Sequence, residues 1–122
     1  MPGECVNPKY TLRGGTQNRG RRTNPGRIDI LISNAGQLRD RSIRNMTMEE
    51  YEDVVNTHQV GAFRCLKAAW PQMSSQKYGR VVFIGAGGAF FGNFGQANYT
   101  SAKGATFGLS MTTAVEGARF GL

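Results

Sequence analysis

Apolar residues change their spacing several times along these 122 positions, and each change marks an expected element. Residues 1–26 show no apolar periodicity and hold Pro2, Pro8 and Pro25 with five glycines, so no helix or strand is expected there. The first apolar run is Ile28-Asp29-Ile30-Leu31-Ile32, closed by Ser33-Asn34-Ala35-Gly36. Its length and β-branching predict a buried strand over 28–33 that enters a tight loop. Thr47-Met48-Glu49-Glu50 comes next; Thr47 can accept from the Glu50 amide while Glu50 reaches back, which makes a capping box. From there Tyr51, Val54, Val55, His58, Ala62, Cys65, Leu66 and Ala69 recur at three- and four-residue steps and predict one helix over 48–73. Gly61 interrupts the stripe at a cost of about 1 kcal/mol relative to alanine, and so points to a close approach by another backbone. Lys77-Tyr78-Gly79 reads as a turn, and Arg80-Val81-Val82-Phe83-Ile84 opens a second buried strand over 80–85. Five glycines from Gly85 to Gly95 predict a mobile loop. A last helix is expected over 97–117, with Ala102, Gly104, Ala105 and Gly108 keeping one side small. Two apolar strands joined by a helical crossover imply a parallel βαβ unit, hence an α/β fold.

Composition divides the chain at the same place. Of 25 Leu, Ile, Val and Phe residues, only Val6 and Leu12 precede residue 28. Residues 1–27 hold six basic groups and one acidic group, and the remainder holds nine and seven. A flexible basic arm over 1–26 followed by one globular domain over 27–122 is the expected organisation. Arg13-Gly14-Gly15 and Arg19-Gly20-Arg21-Arg22 could touch RNA or phosphate through charge, but a solvated tail is the favoured reading and a nucleic-acid partner is not expected. A shifted reading frame would also leave such an Arg/Gly/Pro-rich arm. No apolar run reaches the length of a membrane span, and no signal-peptide core is seen. Cys5 and Cys65 make no disulfide framework, and with a single histidine they make no metal site. A reducing compartment, the cytoplasm by default, follows.

Chemistry concentrates on the last helix. Tyr99 and Lys103 are four apart and share a face. A free tyrosine, with a pKa of about 10, is a poor proton donor at neutral pH; a neighbouring ammonium stabilises its phenolate. Such a pair can move a proton to or from a hydroxyl or carbonyl. The spacing alone is common, and an aromatic–cation surface pair is its structural alternative.

The wider context is more specific. Asp29-Ile30-Leu31-Ile32-Ser33-Asn34-Ala35-Gly36, Gly79-Arg80-Val81-Val82 and Tyr99-Thr100-Ser101-Ala102-Lys103 resemble, in order and spacing, the short-chain dehydrogenase/reductase family over residues 26–122. Leu38-Arg39-Asp40-Arg41-Ser42, Ala68-Ala69-Trp70-Pro71-Gln72-Met73, Gly92-Asn93-Phe94-Gly95-Gln96-Ala97-Asn98-Tyr99 and Glu116-Gly117-Ala118-Arg119-Phe120-Gly121 are similar to its (3R)-hydroxyacyl-CoA dehydrogenase branch. That branch includes the dehydrogenase part of peroxisomal multifunctional enzymes. The resemblance implies part of a Rossmann-like, doubly wound parallel sheet and NAD- or NADP-dependent interconversion of a secondary alcohol and a ketone, with acyl-CoA among the substrates it suggests. It implies that Tyr99 is the acid–base group and that Lys103 lowers its pKa and holds the nicotinamide ribose. Asn34, Ala35 and Gly36 would lie against the cofactor, with Gly36 letting it approach. His58 takes the position of the family's tetrad asparagine; on the residues alone it reads equally as a hydrogen-bonded core histidine. The family's two long helices form a subunit interface, which implies a homo-oligomer or association with a full-length relative. A peroxisomal location is also implied, although no targeting signal is seen.

Three departures bear on activity. Ala86 stands thirteen residues before Tyr99, where the family has serine; loss of one donor to a reacting oxygen costs about 10²–10³ in rate. Ser101, two residues from Tyr99 on the same helix, points elsewhere. The family's Thr-Gly-x-x-x-Gly-x-Gly fingerprint, which binds pyrophosphate at a helix N-terminus, is not found in 1–26, and the family's later strands do not follow residue 122. A truncated chain with very weak or no turnover of its own is expected. The alternative is a non-catalytic fragment that acts through its helix–helix interface.

Overall fold

The computed structural model describes residues 26–122; the expected arm lies, but for its last residue, outside them. Two strands, β1 (Ile30–Ser33) and β2 (Arg80–Phe83), pair in parallel with Ile30 opposite Arg80 and Ser33 opposite Phe83. Both are shorter than the apolar runs that predict them. At the start of β1 the reason is local: the Gln76 side chain donates to the Ile28 carbonyl and accepts from the Ile28 amide, both at 2.8 Å, replacing a neighbouring strand.

Between the strands runs one helical column. It consists of α1 (Met48–Val55), a π-helical turn (Asn56–Val60) and α2 (Gly61–Gln76). The capping box forms as the sequence requires, with Glu50 N donating to Thr47 Oγ1 at 3.1 Å and Thr47 N to Glu50 Oε2 at 3.0 Å. Apolar periodicity gives the column its length but not the π turn, in which the Gly61 amide reaches back five residues to the Asn56 carbonyl. The column ends at Lys77, whose φ of 53° is left-handed. Two residues on, Gly79 is closely packed: a Cβ there would lie 2.8 Å from the sulfur of fully buried Met73, which would have to shift.

Leu31, Leu66, Ala69 and Met73 form the core beneath β1, with Val81, Phe83, Trp70 and Leu122 packed around them. β1 is therefore buried on one face only, at Leu31, and β2 is half-buried on that face through Val81 and Phe83. Ile30 and Ile32 on the other face are 60% and 61% exposed. Their β-branched run correctly signals strand, yet among the described residues no element covers that side.

Past β2 the glycine-rich stretch is not loop throughout. It makes a single helical turn, α3 (Gly88–Phe91), closed by the Gly92 amide on the Gly88 carbonyl at 2.9 Å. The Phe90 ring anchors it, edge-on to Phe107 at 5.6 Å. The last helix, α4 (Ala97–Gly117), has the expected bounds and packs along α1 and the π turn. Its small residues do not share one face: Ala102 is fully buried against the body, whereas Gly108 is exposed. Among the described residues no helix is long and apolar enough to cross a membrane.

Candidate active site

Both strands point the same way, so their C-terminal ends open onto one edge, where α/β sheets place their ligands. Asn34, Ala35 and Gly36 continue from β1 onto that edge and are exposed. Gly36 lies against the π turn: a Cβ on it would sit 2.5 Å from His58 Cε1. His58 is 6% exposed. Its Nε2 lies 2.9 Å from the Gln37 carbonyl and 3.2 Å from the Gln37 amide. The shorter contact fits a ring protonated at Nε2 and donating, which leaves Nδ1, buried and unpaired, as a bare acceptor. Burial is the main cause that holds the imidazole pKa below its usual value; the backbone bond to Gln37 opposes this and the Lys103 charge reinforces it. The Gln37 side chain fastens the loop further, donating to the Asp53 carbonyl at 2.8 Å and to Thr57 Oγ1 at 2.9 Å.

Tyr99 enters from the first turn of α4. Its ring meets the His58 ring edge-on, with centroids 5.0 Å apart. One helical turn later Lys103 folds back, its Nζ 5.7 Å from the Tyr99 ring centroid. This lysine is also 6% exposed, donates to the Ile84 carbonyl at 2.5 Å, and has its pKa lowered by burial. Ser101 points away, as its spacing requires: its Oγ donates to the Ala97 carbonyl at 2.6 Å and lies 3.1 Å from the Tyr51 hydroxyl.

Ala86 and Lys103 share a cleft of about 110 Å³ whose other walls include Phe83, Ala89, Phe90 and Phe107. Thr106 and Ser110 join Lys103 as its polar lining, and Tyr99 and His58 lie outside it. The structure thus joins Gly36, His58, Tyr99 and Lys103 in one run of contacts and links Ala86 to that run through Lys103. Asn34 and Ala35 stand beside it at the strand end. Among the described residues no group of three or more His, Cys, Asp or Glu could hold a metal ion.

Two further side chains organise this edge without having stood out as site residues in the sequence. Gln37 is one. The other is Asn98, fully buried, which donates to the Arg39 carbonyl at 2.9 Å and to the Glu50 carbonyl at 3.2 Å. Asn98 lies four residues before inward-facing Ala102, so a polar residue at an inward helical position was its available signal.

A nicotinamide dinucleotide suits part of this edge. An ammonium has three donors, and the bond to Ile84 uses one of them, which leaves buried donors for ribose hydroxyls beside the exposed Asn34–Gly36 backbone.

Comparison with known proteins agrees with the geometry. The family profile described as short chain dehydrogenase matches residues 19–122, starting inside the segment read as the arm. The chain belongs to the short-chain dehydrogenase/reductase family. Its lineage is therefore that of oxidoreductases with a Rossmann-type fold. Peroxisomal hydratase-dehydrogenase-epimerase of Saccharomyces cerevisiae is 48% identical over 97 residues, which are 80% of this chain and 11% of the yeast protein. A 3-oxoacyl-(acyl-carrier-protein) reductase of Staphylococcus aureus is 37% identical and is matched over 39% of its length. The structure of full-length peroxisomal multifunctional enzyme type 2 from Drosophila melanogaster superposes with a TM-score of 0.74 at 43% identity, over 75% of this chain and 17% of the fly chain. The short-chain dehydrogenase/reductase chain described here thus spans 11% to 39% of the length of these three relatives.

Proposed function

We propose that this chain carries the acid–base half of an NAD(P)-dependent oxidoreductase that interconverts a secondary alcohol and a ketone. The 3-hydroxyacyl thioesters are its substrate class, and its turnover alone is very weak or nil. The observation that carries the reading is the run of contacts from His58 through Tyr99 to Lys103 at the C-terminal edge of two parallel strands. The acyl class follows from the names of the relatives, among them a 3-oxoacyl reductase and a hydratase-dehydrogenase-epimerase.

In the reducing direction Tyr99 gives its phenolic proton to the ketone oxygen. Lys103 supports the phenolate that remains and offers its spare N–H donors to the ribose. His58 fixes the ring of Tyr99 from the other side. Asn34, Ala35 and Gly36 present backbone to the nicotinamide end. When bound, the nicotinamide supplies the hydride, or takes it in the reverse direction. Ala86 offers no hydroxyl to the reacting oxygen, so this geometry forgoes a donor that is typically worth about 10²–10³ in rate. The cytoplasm is the location we infer, and the relatives named peroxisomal supply the alternative.

A direct test is titration with reduced nicotinamide mononucleotide, followed by NMR of the chain. The reading expects weak, millimolar binding that perturbs Tyr99, Lys103 and His58 but not Trp70, and that is lost in Lys103→Met. No perturbation, or the same response in Lys103→Met, would sink it.

A second reading is favoured by a separate observation. Phe107, Met111 and Val115 form an exposed apolar stripe along α4, and Phe63 on α2 is also half exposed. A chain without turnover could act through these helices, on a second copy or on a full-length relative.

A further inference from the structure

We propose that Asn98 is the positioning residue that fixes Tyr99 relative to the loop leaving β1. The inference rests on the acid–base reading of Tyr99 for its functional meaning, but its test does not use activity.

Burying a primary amide completely is unfavourable unless its polar groups are paired. Asn98 has no exposed surface, and both ends of its amide are engaged. Its nitrogen donates to the Arg39 and Glu50 carbonyls, at 2.9 and 3.2 Å. Its oxygen accepts from the Tyr99 amide at 2.7 Å. Two donors and one acceptor, spread over three segments, are what asparagine can supply at this size. Ionised aspartate would set a carboxylate against two carbonyls, and serine would offer a single donor.

The Tyr99 amide needs such a partner. It lies in the first turn of α4, where backbone N–H groups have no acceptor within their own helix. Gln96, at the N-cap, makes no capping bond with its side chain. Asn98 therefore satisfies the backbone of Tyr99 from inside the protein.

The loop after β1 and the entry of α4 are joined twice more. Arg41 N donates to the Gly95 carbonyl at 2.7 Å, and Gln96 Nε2 to Asp40 Oδ2 at 2.9 Å. From Arg39 the chain runs back to Gln37, which is bound to His58, whose ring meets Tyr99. The contacts close a circuit: Asn98 holds the backbone of Tyr99 and His58 holds its ring. The entry of α4, the first turn of α1 and the loop after β1 therefore form one block. That block sets where the phenol stands relative to Asn34–Gly36.

The chain contains one histidine, so the His58 ring protons are an isolated NMR reporter of the Tyr99 ring. Tyr99→Leu gives their position without that ring. In the wild-type chain the Tyr99 amide is expected to exchange with solvent about five-fold more slowly than in an unstructured chain, as one net hydrogen bond implies. In Asn98→Ala it is expected to lose that protection while the amide of Thr106, deeper in α4, keeps its own. The His58 signals should move toward their Tyr99→Leu positions. A residue that only stabilised the fold would speed exchange along the whole of α4 together, and that result would overturn the proposal. So would a folded Asn98→Ala chain with unchanged Tyr99 exchange and His58 shifts. If Asn98→Ala does not fold, the wild-type measurement decides: slow exchange at Tyr99 supports the assignment, and exchange at the unstructured rate rejects it.

Discussion

The ring of His58 stands where a side chain on residue 36 would begin, with Cε1 2.5 Å from the place a Cβ would take. Gly36 is thus required by a protein contact, whatever else approaches it. Substituting Gly36→Ala should destabilise the chain by about 1–3 kcal/mol, the usual cost of forcing a methyl group into packed space. The penalty should shrink in a His58→Ala background, because the clashing group is then gone. Urea denaturation of the two single variants and the double variant measures this coupling. Equal costs in both backgrounds would show that the imidazole yields freely.

Stability should rise with pH across the range where an ordinary histidine titrates. The pKa of His58 is lowered in the folded chain, mainly by burial, so near pH 6.5 the unfolded chain takes up a proton before the native one does. The associated stability is fully present above the unfolded value. It is lost as pH falls from there through the folded value. Glu50 is also lowered, chiefly by its bond from the Thr47 backbone, but from 4.5, so its loss is confined to more acid solution. Melting temperatures from pH 5 to 8 should climb for the wild type and flatten in His58→Gln. A slope that persists in His58→Gln would assign it to another group.

Restoring the hydroxyl at position 86 should leave turnover unchanged. Ala86→Ser would return a donor worth about 2.7–4 kcal/mol to a transition state. That gain counts only when both reactants are held in place, and positioning is worth up to about 7–11 kcal/mol. The described residues fit only the nicotinamide–ribose end of a dinucleotide. Oxidation of NADH or NADPH with a 3-ketoacyl-CoA should match the protein-free rate for wild type, Ala86→Ser and Tyr99→Phe. Wild-type turnover that disappears in Tyr99→Phe would reveal an assembled active site.

Self-association is expected at tens of micromolar protein. Ile30 and Ile32 on the bare sheet face, and Phe107, Met111 and Val115 on α4, offer apolar surface on two sides of the molecule. Sedimentation velocity should show species larger than the monomer. Met111→Lys combined with Val115→Lys should raise the monomer fraction if α4 is the contact. A sharp monomer boundary for the wild type would contradict the expectation.

Much of this architecture could be read from local pattern because it is local in origin. The capping box at Thr47 and Glu50, the bounds of α4 and the two parallel strands each follow from a few neighbouring residues. The Tyr99–Lys103 pair was legible from helical spacing alone. What escaped depends on partners far along the chain. The π turn leaves the apolar stripe almost intact while changing one hydrogen-bond step, so periodicity cannot reveal it. The helical turn at Gly88–Phe91 has its Phe90 ring on Phe107, seventeen residues away, and glycine content alone argues for loop. Gln37 and Asn98 act through backbone groups of distant segments; for Asn98 the one signal was a polar residue at an inward helical position, and that does not name its partners. One-sided burial of β1 was also hidden, since Ile30, Leu31 and Ile32 are alike in polarity while only Leu31 faces the core.

The Gln76 clasp on Ile28 has a kinetic meaning. It joins positions 48 residues apart, the end of the helical column and the threshold of the first strand. Both must come together before the side chain can bridge them, so the clasp is expected to form late in assembly. Interactions formed after the rate-limiting barrier govern how fast a protein comes apart rather than how fast it forms. Gln76→Ala should therefore steepen the loss of native signal in unfolding jumps while leaving refolding rates near those of the wild type. Such a result would make one glutamine at the end of α2 a determinant of how long the native state lasts, more than of how quickly it is reached.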